Sequence, residues 1–210
     1  MTRVLFATNN LGKLSDARRL AKQYDIEVVS LTDLGIELEV VEDGVTFTEN
    51  ADKKYDEYSR HAPQDLWIIT DDGGLQIKAL NNEPGVYSKR WADPKHEREM
   101  SDEEIIAYTL QKMDGVSDRR ARFAGVLSVG QPGQKPHHIS FGIDGELLEK
   151  PDMAAYEQHL PFRAFFYVPR FGKMLYQIHD IPYAQRPGIL THREQGLKTA
   201  FEFISKSGNA

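Results

Sequence analysis

The stretch IITDDGGLQI, residues 68–77, places two adjacent aspartates and two glycines inside a run of mainly apolar side chains. Desolvating a carboxylate that has no partner costs several kcal/mol, so charged pairs are rare in the middle of a buried strand. The apolar patterns predict strand structure at Leu66–Ile69 and at Leu75–Ile77. We therefore expect Asp71 and Asp72 to stand at a strand end, where a cation can compensate their charge.

Helix and strand signals alternate along the rest of the chain. Each helix begins at a capping residue and continues with apolar residues at helical spacing. The predicted starts are Asn9 or Asn10, Thr46 with Glu49 (or Thr48), Ser101 with Glu104, and Thr191 with Glu194. Strands are predicted at 3–8 and 26–31, and a hairpin turns near 131–136. This mixture predicts an α/β fold with a mixed sheet.

Composition limits the possible functions. The 210 residues suit one domain or two small lobes, and we treat 1–210 as a single domain. The net charge of −6 argues against a nucleic-acid-binding surface, and the absence of cysteine excludes disulfides, thiolate zinc sites and cysteine nucleophiles. The first apolar run is too short for a signal peptide, and no stretch could span a membrane. We expect a cytoplasmic protein.

Three cations stand near predicted helix starts. Lys13, Lys53 and Arg193 lie there although the helix dipole disfavours positive charge at an N-terminus. Backbone donors at the same ends suit an anion, so the three could converge on phosphates. The alternatives are ordinary: Lys53 could pair with Glu49 one turn earlier on a surface helix, Lys13 could reach solvent, and His192 could be structural.

Carboxylates supply the opposite charge. Glu42 and Asp43 precede Gly44, as Asp71 and Asp72 precede Gly73. Mg²⁺ is bound by one or two carboxylates, several waters and substrate phosphate oxygens, so the two pairs indicate a hard divalent cation. Each acidic residue before glycine is, alone, more typical of a simple turn.

Five segments resemble, in the same order, motifs of the inosine triphosphate pyrophosphatase family. They are ATNNLGK (7–13), EDGVTFTENADKK (42–54), DDGGLQIKALNNEPGVYSKRW (71–91), RRARF (119–123) and THR (191–193). The resemblance implies an elongated mixed sheet with flanking helices, in two lobes around a central nucleotide cleft. It also implies a Mg²⁺-dependent enzyme, commonly a homodimer, that converts a nucleoside triphosphate and water into the monophosphate and diphosphate.

The resemblance assigns roles to residues by position. Asp72, with Lys13 and Lys53, would be catalytic, and Asp72 would activate water. The metal would be held by Glu42 and Asp72, supported by Asp71. The residues expected to bind substrate are Thr8, Asn9, Asn10, Gly12, Lys13, Gly73, Phe162, Arg163, His192 and Arg193.

The chain departs from the family pattern in two places. Gly73 replaces a serine, and Leu160–Arg163 stands where the family has Phe-Gly-Tyr-Asp. The family lysine before the THR motif is also missing, with Arg186 or Pro187 in that region. The substrate implied is a deaminated purine triphosphate such as ITP, dITP or XTP, in a house-cleaning role. Two alternatives stay open: the same chemistry on another nucleotide, favoured by the altered segment, and nucleotide binding without catalysis, disfavoured by the retained lysines and carboxylates.

Overall fold

The computed structural model describes residues 1–93, 95, 97–156, 160–186 and 188–207, and it confirms the mixed α/β class. The α-helices are α1 (Leu11–Ala21), α2 (Phe47–Ser59), α3 (Asp102–Lys112), α4 (Leu175–Asp180) and α5 (His192–Ser207). The strands are β1 (Thr2–Phe6), β2 (Ile26–Val29), β3 (Trp67–Ile77), β4 (Glu83–Pro84), β5 (Arg120–Gly130), β6 (His137–Leu147), β7 (Phe166–Val168) and β8 (Lys173–Met174). Within these ranges, no helix is both long enough and apolar enough to cross a membrane.

The strands pair in one open sheet. Their order is β2-β1-β3-β5-β6-β7-β8, and β4 pairs with β3. β1 is parallel to β2 and β3, whereas β3–β4, β6–β7 and β7–β8 are antiparallel. The parallel β1–β2 pair needs a crossover, which α1 supplies. The predicted mixed sheet and the predicted hairpin of β5 and β6 are both confirmed.

The expected strand end at the two aspartates is wrong. β3 runs without a break from Trp67 to Ile77. The strand that ends here is its neighbour: the β1 register stops at Phe6 opposite Ile69, and Ala7 N donates the last hydrogen bond to the Ile69 carbonyl at 2.9 Å. The aspartates therefore lie in a continuous strand just beyond the end of β1, where side chains from a following helix can reach them.

The chain forms two compact units. Unit 1 comprises Met1–Gly73, Gly125–Gly142 and His192–Ala210. Its sheet is covered by α2 through an apolar core that includes Tyr55, Tyr58 and Leu66. Elsewhere in unit 1, α5 packs through Phe201 against Tyr24, with ring centroids 5.8 Å apart.

Unit 2 comprises Gly74–Ala124 and Ile143–Thr191 and has an aromatic core of its own. Trp91 packs edge-on against Tyr108 at 5.2 Å, and Phe123 lies 4.6 Å from Phe166. The single-domain organisation, the elongated shape and the central cleft expected from the resemblance stay predictions.

The capping signals explain where three helices start. Asn10 is the N-cap of α1, and its Oδ1 accepts from Lys13 N at 3.0 Å. α2 begins with the predicted capping box, in which Thr46 Oγ1 accepts from Glu49 N at 3.1 Å and Glu49 Oε2 accepts from Thr46 N at 3.1 Å. α3 has the equivalent box at Ser101. α5 is confirmed as a helix from His192, while its own capping box stays a prediction.

Thr46→Val tests the cap of α2. It keeps the shape of the side chain but removes the acceptor for Glu49 N, so unfolding free energy should fall by about 1 kcal/mol. Thr48→Val, two residues into α2, is the matched control and should change stability by less than about 0.5 kcal/mol. Denaturant titration measures both, and equal losses would contradict the cap.

Candidate active site

Asp71 is buried in β3 and forms an ion pair with the first turn of α1. Lys13 Nζ lies 2.7 Å from Asp71 Oδ2, and the aspartate side chain is 6% exposed. Burial raises the pKa of Asp71, but the positive charges of Lys13, Lys54 and Arg193 outweigh burial and hold that pKa below its ordinary value. Burial lowers the pKa of Lys13, and Asp71 opposes this change. Asp71 is therefore ionised at neutral pH.

A second lysine, Lys54 of α2, lies among the carboxylates predicted from the sequence. Its Nζ is 2.8 Å from Glu42 Oε2, and its side chain is 13% exposed. Burial lowers the pKa of Lys54, but attraction to Asp71, Asp72 and Glu42 outweighs it, so the net pKa is raised. The structure thus brings together Glu42, Asp71 and Asp72 around a lysine that sequence reasoning missed.

Lys53 is placed differently from its neighbour. It pairs with Asp43, and the two side chains are 42% and 67% exposed. Adjacent helix residues point about 100° apart, so two successive lysines cannot face the same cluster equally. The signal for Lys54 was present in the sequence, because the family element Glu-Asn-Ala-x-x-Lys ends at Lys54. A catalytic role for Lys53 stays a prediction.

Asp72 is held by a second residue that sequence reasoning missed. Asn50 Nδ2 donates to Asp72 Oδ2 at 3.0 Å, and Asn50 Oδ1 accepts from Gly44 N at 2.7 Å. A Cβ at position 44 would lie 2.6 Å from that oxygen, so the close approach requires glycine. Burial, with the charges of Glu42 and Asp71, raises the pKa of Asp72 to about 6 against the opposing effects of Lys54 and Asn50.

Side-chain hydrogen bonds fix α2 on the sheet. Thr70 Oγ1 of β3 donates to the Ala51 carbonyl at 2.7 Å. Asp52 Oδ1 accepts from Ser128 Oγ at 2.6 Å and lies 2.8 Å from His138 Nε2. These contacts fix how α2 is rotated about its axis and where it lies on the sheet. They therefore also fix the positions of Asn50 and Lys54, which face the carboxylates.

The start of α5 contributes the predicted arginine. Arg193 Nη1 lies 3.7 Å from Asp16 Oδ2 of α1, and its charge acts on Lys13 and Asp71. Arg19 links the same two helices, with Nη2 2.8 Å from Asp16 and 2.5 Å from the fully buried Glu194. The charges of the predicted cations Lys13 and Arg193 therefore both act on the carboxylate of Asp71.

The other predicted substrate residues are dispersed. Thr8, Asn9, Asn10 and Gly12 form the turn into α1, in which Thr8 Oγ1 accepts from Asn10 N at 3.2 Å. Gly73 is exposed on β3, and His192 stacks on Phe141 at the start of α5. Phe162 and Arg163 belong to unit 2, where Phe162 is buried in the aromatic core. The substrate-binding roles of these residues stay predictions.

Two of the three clustered carboxylates, those of Glu42 and Asp72, suit a hard cation. Among the residues described, no group of three or more His, Cys, Asp or Glu side chains is arranged to hold a metal ion. Glu42 and Asp72 nevertheless both attract the ammonium group of Lys54, and the raised pKa of Asp72 reflects mainly the burial of its carboxylate. Mg²⁺ needs only one or two carboxylates when substrate phosphates and waters complete its shell, so this pair suits it. Asp71 is instead paired with Lys13.

Comparison with solved structures defines the class of fold. The Staphylococcus aureus Ham1 protein is 30% identical and superposes with a TM-score of 0.76 over 98% of this chain and 100% of its own. A HAM1 protein from Coxiella burnetii, 27% identical, gives the same TM-score and coverage.

The family follows from the sequence comparisons. The model of the Ham1 family matches residues 4–201, and the chain belongs to that family. A dITP/XTP pyrophosphatase from Staphylococcus aureus is 30% identical over 209 residues, covering all of both chains. One from Staphylococcus epidermidis is 31% identical over 208 residues, covering 97% of each. The resemblance predicted from the motifs is thereby confirmed.

Replacing each aspartate by asparagine should change stability in opposite directions. Asp72 has a raised pKa, so its ionisation destabilises the fold, and Asp72→Asn should stabilise the metal-free protein by roughly 1–3 kcal/mol at pH 7.5. This gain should disappear as the pH falls from 6 to below 4, where the carboxyl is protonated in folded and unfolded chains. Asp71→Asn, which leaves Lys13 unpaired, should destabilise.

Thermal unfolding in EDTA across this pH range measures both variants. A change of the same sign for the two aspartates, or a gain for Asp72→Asn that does not depend on pH, would contradict the electrostatic assignment.

Proposed function

We propose that this protein is a Mg²⁺-dependent nucleoside triphosphate pyrophosphatase, which hydrolyses deaminated purine triphosphates such as ITP, dITP and XTP to the monophosphate and diphosphate. The observation that supports this most strongly is the position of Lys54 among Glu42, Asp71 and Asp72, beside the Lys13 ion pair. The names of the relatives, dITP/XTP pyrophosphatases, support the reaction and the substrate class.

The cations of unit 1 bind the triphosphate. Lys13, Lys54 and Arg193 are the positive groups that act on Asp71, and an incoming phosphate chain competes with the carboxylates for them. The turn before α1 presents backbone N–H groups at a helix N-terminus, where an anion is favoured. Phosphoryl transfer depends mainly on such positioning and charge neutralisation.

Asp72 receives the proton of the attacking water. The water oxygen forms a bond to the α-phosphorus as the bond from that phosphorus to the α–β bridging oxygen breaks, and diphosphate leaves with the electron pair. In the metal-free protein burial raises the pKa of Asp72 to about 6, so the carboxylate is ionised at neutral pH and can accept a proton. Asn50 donates to Asp72 Oδ2 and so helps to fix the orientation of this side chain.

Mg²⁺, when bound, neutralises charge on the phosphates and on the leaving diphosphate. Glu42 and Asp72 would hold it, with Asp71 supporting the site through its pair with Lys13. A homodimer in the cytoplasm is part of the same proposal, and light scattering of the purified protein measures the oligomeric state.

One segment expected to read the base, Leu160–Arg163, differs from the family pattern. Arg163 stands where the family has aspartate, and a guanidinium only donates hydrogen bonds. A base contact from Arg163 would favour acceptor-rich 6-oxo purines over the exocyclic amine of adenine. His192, the first residue of α5, is proposed to contact the nucleotide from unit 1. The replaced segment Leu160–Arg163 is also the observation that favours the second candidate, the same hydrolysis acting on a different modified or standard nucleotide.

The test is product analysis across a panel of triphosphates. With Mg²⁺, the protein should release diphosphate rather than orthophosphate from ITP, dITP and XTP, faster than from ATP and GTP, and EDTA should stop the reaction. Orthophosphate as the first product would overturn the reaction. Diphosphate release with another preferred base would favour the second candidate, and binding without release would favour a protein that has lost catalysis.

The adjacent lysines of α2 provide a matched pair. Lys54→Met removes the cation among the carboxylates and should lower kcat/KM by about 100-fold or more, as expected when a charged contact to the transition state is lost. Lys53→Met removes only an exposed pair with Asp43 and should change kcat/KM less than about threefold. A coupled diphosphate assay measures both. A larger loss for Lys53→Met than for Lys54→Met would support the catalytic role predicted for Lys53 from the sequence and contradict the one proposed here for Lys54.

A further inference from the structure

The ring of Phe141 occupies a slot between two glycines of unit 1. A Cβ at Gly125 of β5 would lie 2.4 Å from Phe141 Cζ, and a Cβ at Gly196 of α5 would lie 2.9 Å from Cδ1. Real side chains do not approach so closely, so the ring fits only because both positions lack a Cβ. Phe141 is 9% exposed.

Both glycines are costly where they stand. Gly196 lies inside a helix, where glycine is less favourable than alanine, and Gly125 lies inside a strand, where glycine weakens packing. Neither has a positive φ that would require glycine. The room that they leave for Phe141 is therefore a physical reason for both, and at Gly125 the Asp72 carbonyl oxygen is a second one.

The slot is next to the candidate active site. Phe141 stacks on His192, the first residue of α5, with ring centroids 6.0 Å apart and planes 26° apart. The Cβ that Gly125 lacks would also lie 2.6 Å from the Asp72 carbonyl oxygen, so β5 approaches the β3 backbone at the proposed catalytic aspartate. The aromatic ring is thus packed between the strand that flanks Asp72 and the helix start that bears His192.

The geometry points to Phe141 as a positioning residue that sets the orientation of the His192 imidazole toward the substrate. The inference rests on the proposed function, in which His192 contacts the nucleotide. Helix ends fray, and the last torsion of a histidine side chain is broad, so a residue at the start of α5 needs an external contact to hold one ring plane. A ring confined by two glycines supplies that contact, because it cannot move without displacing β5 or α5.

The opposing view is that Phe141 only fills space. A double-mutant cycle separates the two, since residues that act through one another are non-additive. Phe141→Leu should raise KM for the preferred purine triphosphate about tenfold with kcat changed less than threefold. In a His192→Gln background, Phe141→Leu should change KM no further. Phe141→Met, which fills more of the slot without a ring, should behave like Phe141→Leu and serves if the leucine variant folds poorly.

Phe201→Leu is the matched control. Phe201 is fully buried on the same helix and packs on Tyr24, so its loss should lower the unfolding temperature without altering KM. The spectroscopic readout is the His192 imidazole resonance, assigned with His192→Gln. It should shift in Phe141→Leu because the ring current of the stacked phenyl group is removed, and stay in place in Phe201→Leu.

Additive changes in KM, or an unchanged His192 resonance in Phe141→Leu, would overturn the positioning role while the proposed function stands. Failure of the wild-type protein to hydrolyse any nucleotide would overturn the proposed function, and with it the role of Phe141 in substrate binding. The two failures are therefore distinguishable in the same set of measurements.

Discussion

The carboxylate of Asp71 lies inside β3, and the ammonium of Lys13 lies 2.7 Å from it. A buried charge is tolerated only when its partner is placed accurately, so this pair dictates where α1 must begin. The Asn10 cap fixes that start, and Arg193 extends the same requirement to α5. Lys54, which is also attracted to Asp71, places the same requirement on α2. The charge of Asp71 thus constrains three helices of unit 1. The two lysines and the arginine proposed to bind phosphate lie together because they stabilise this charge.

The elements that could be predicted from sequence are those with local causes. Capping residues act within one turn, and for this reason the starts of α1, α2 and α3 follow from Asn10, Thr46 and Ser101. The hairpin of β5 and β6 follows from its glycine- and proline-containing turn. The adjacent carboxylates of β3 also identified the site, because unpaired charge inside an apolar run requires a partner wherever that partner comes from.

The features that could not be predicted depend on distant neighbours. The continuation of β3 through Asp72 depends on where β1 stops, which no pattern within β3 records. The choice between Lys53 and Lys54 depends on the rotation of α2, which Ser128 and His138 help to fix through Asp52. Gly125 and Gly196 are unfavourable when the strand or the helix is considered alone. They are explained by the Phe141 ring, which lies between them only in the folded chain.

The link between α1 and α5 has a consequence for how the molecule is made. Arg19 pairs with Glu194, a residue 175 positions later in the chain. A nascent chain emerging from the ribosome therefore exposes α1, α2 and β3 long before the helix that covers Arg19 and supplies Arg193 exists. Contacts between residues so far apart in sequence form slowly, and apolar surface stays exposed until they form. Until α5 docks, the incomplete chain has the carboxylates and lysines of the candidate site but lacks Arg193.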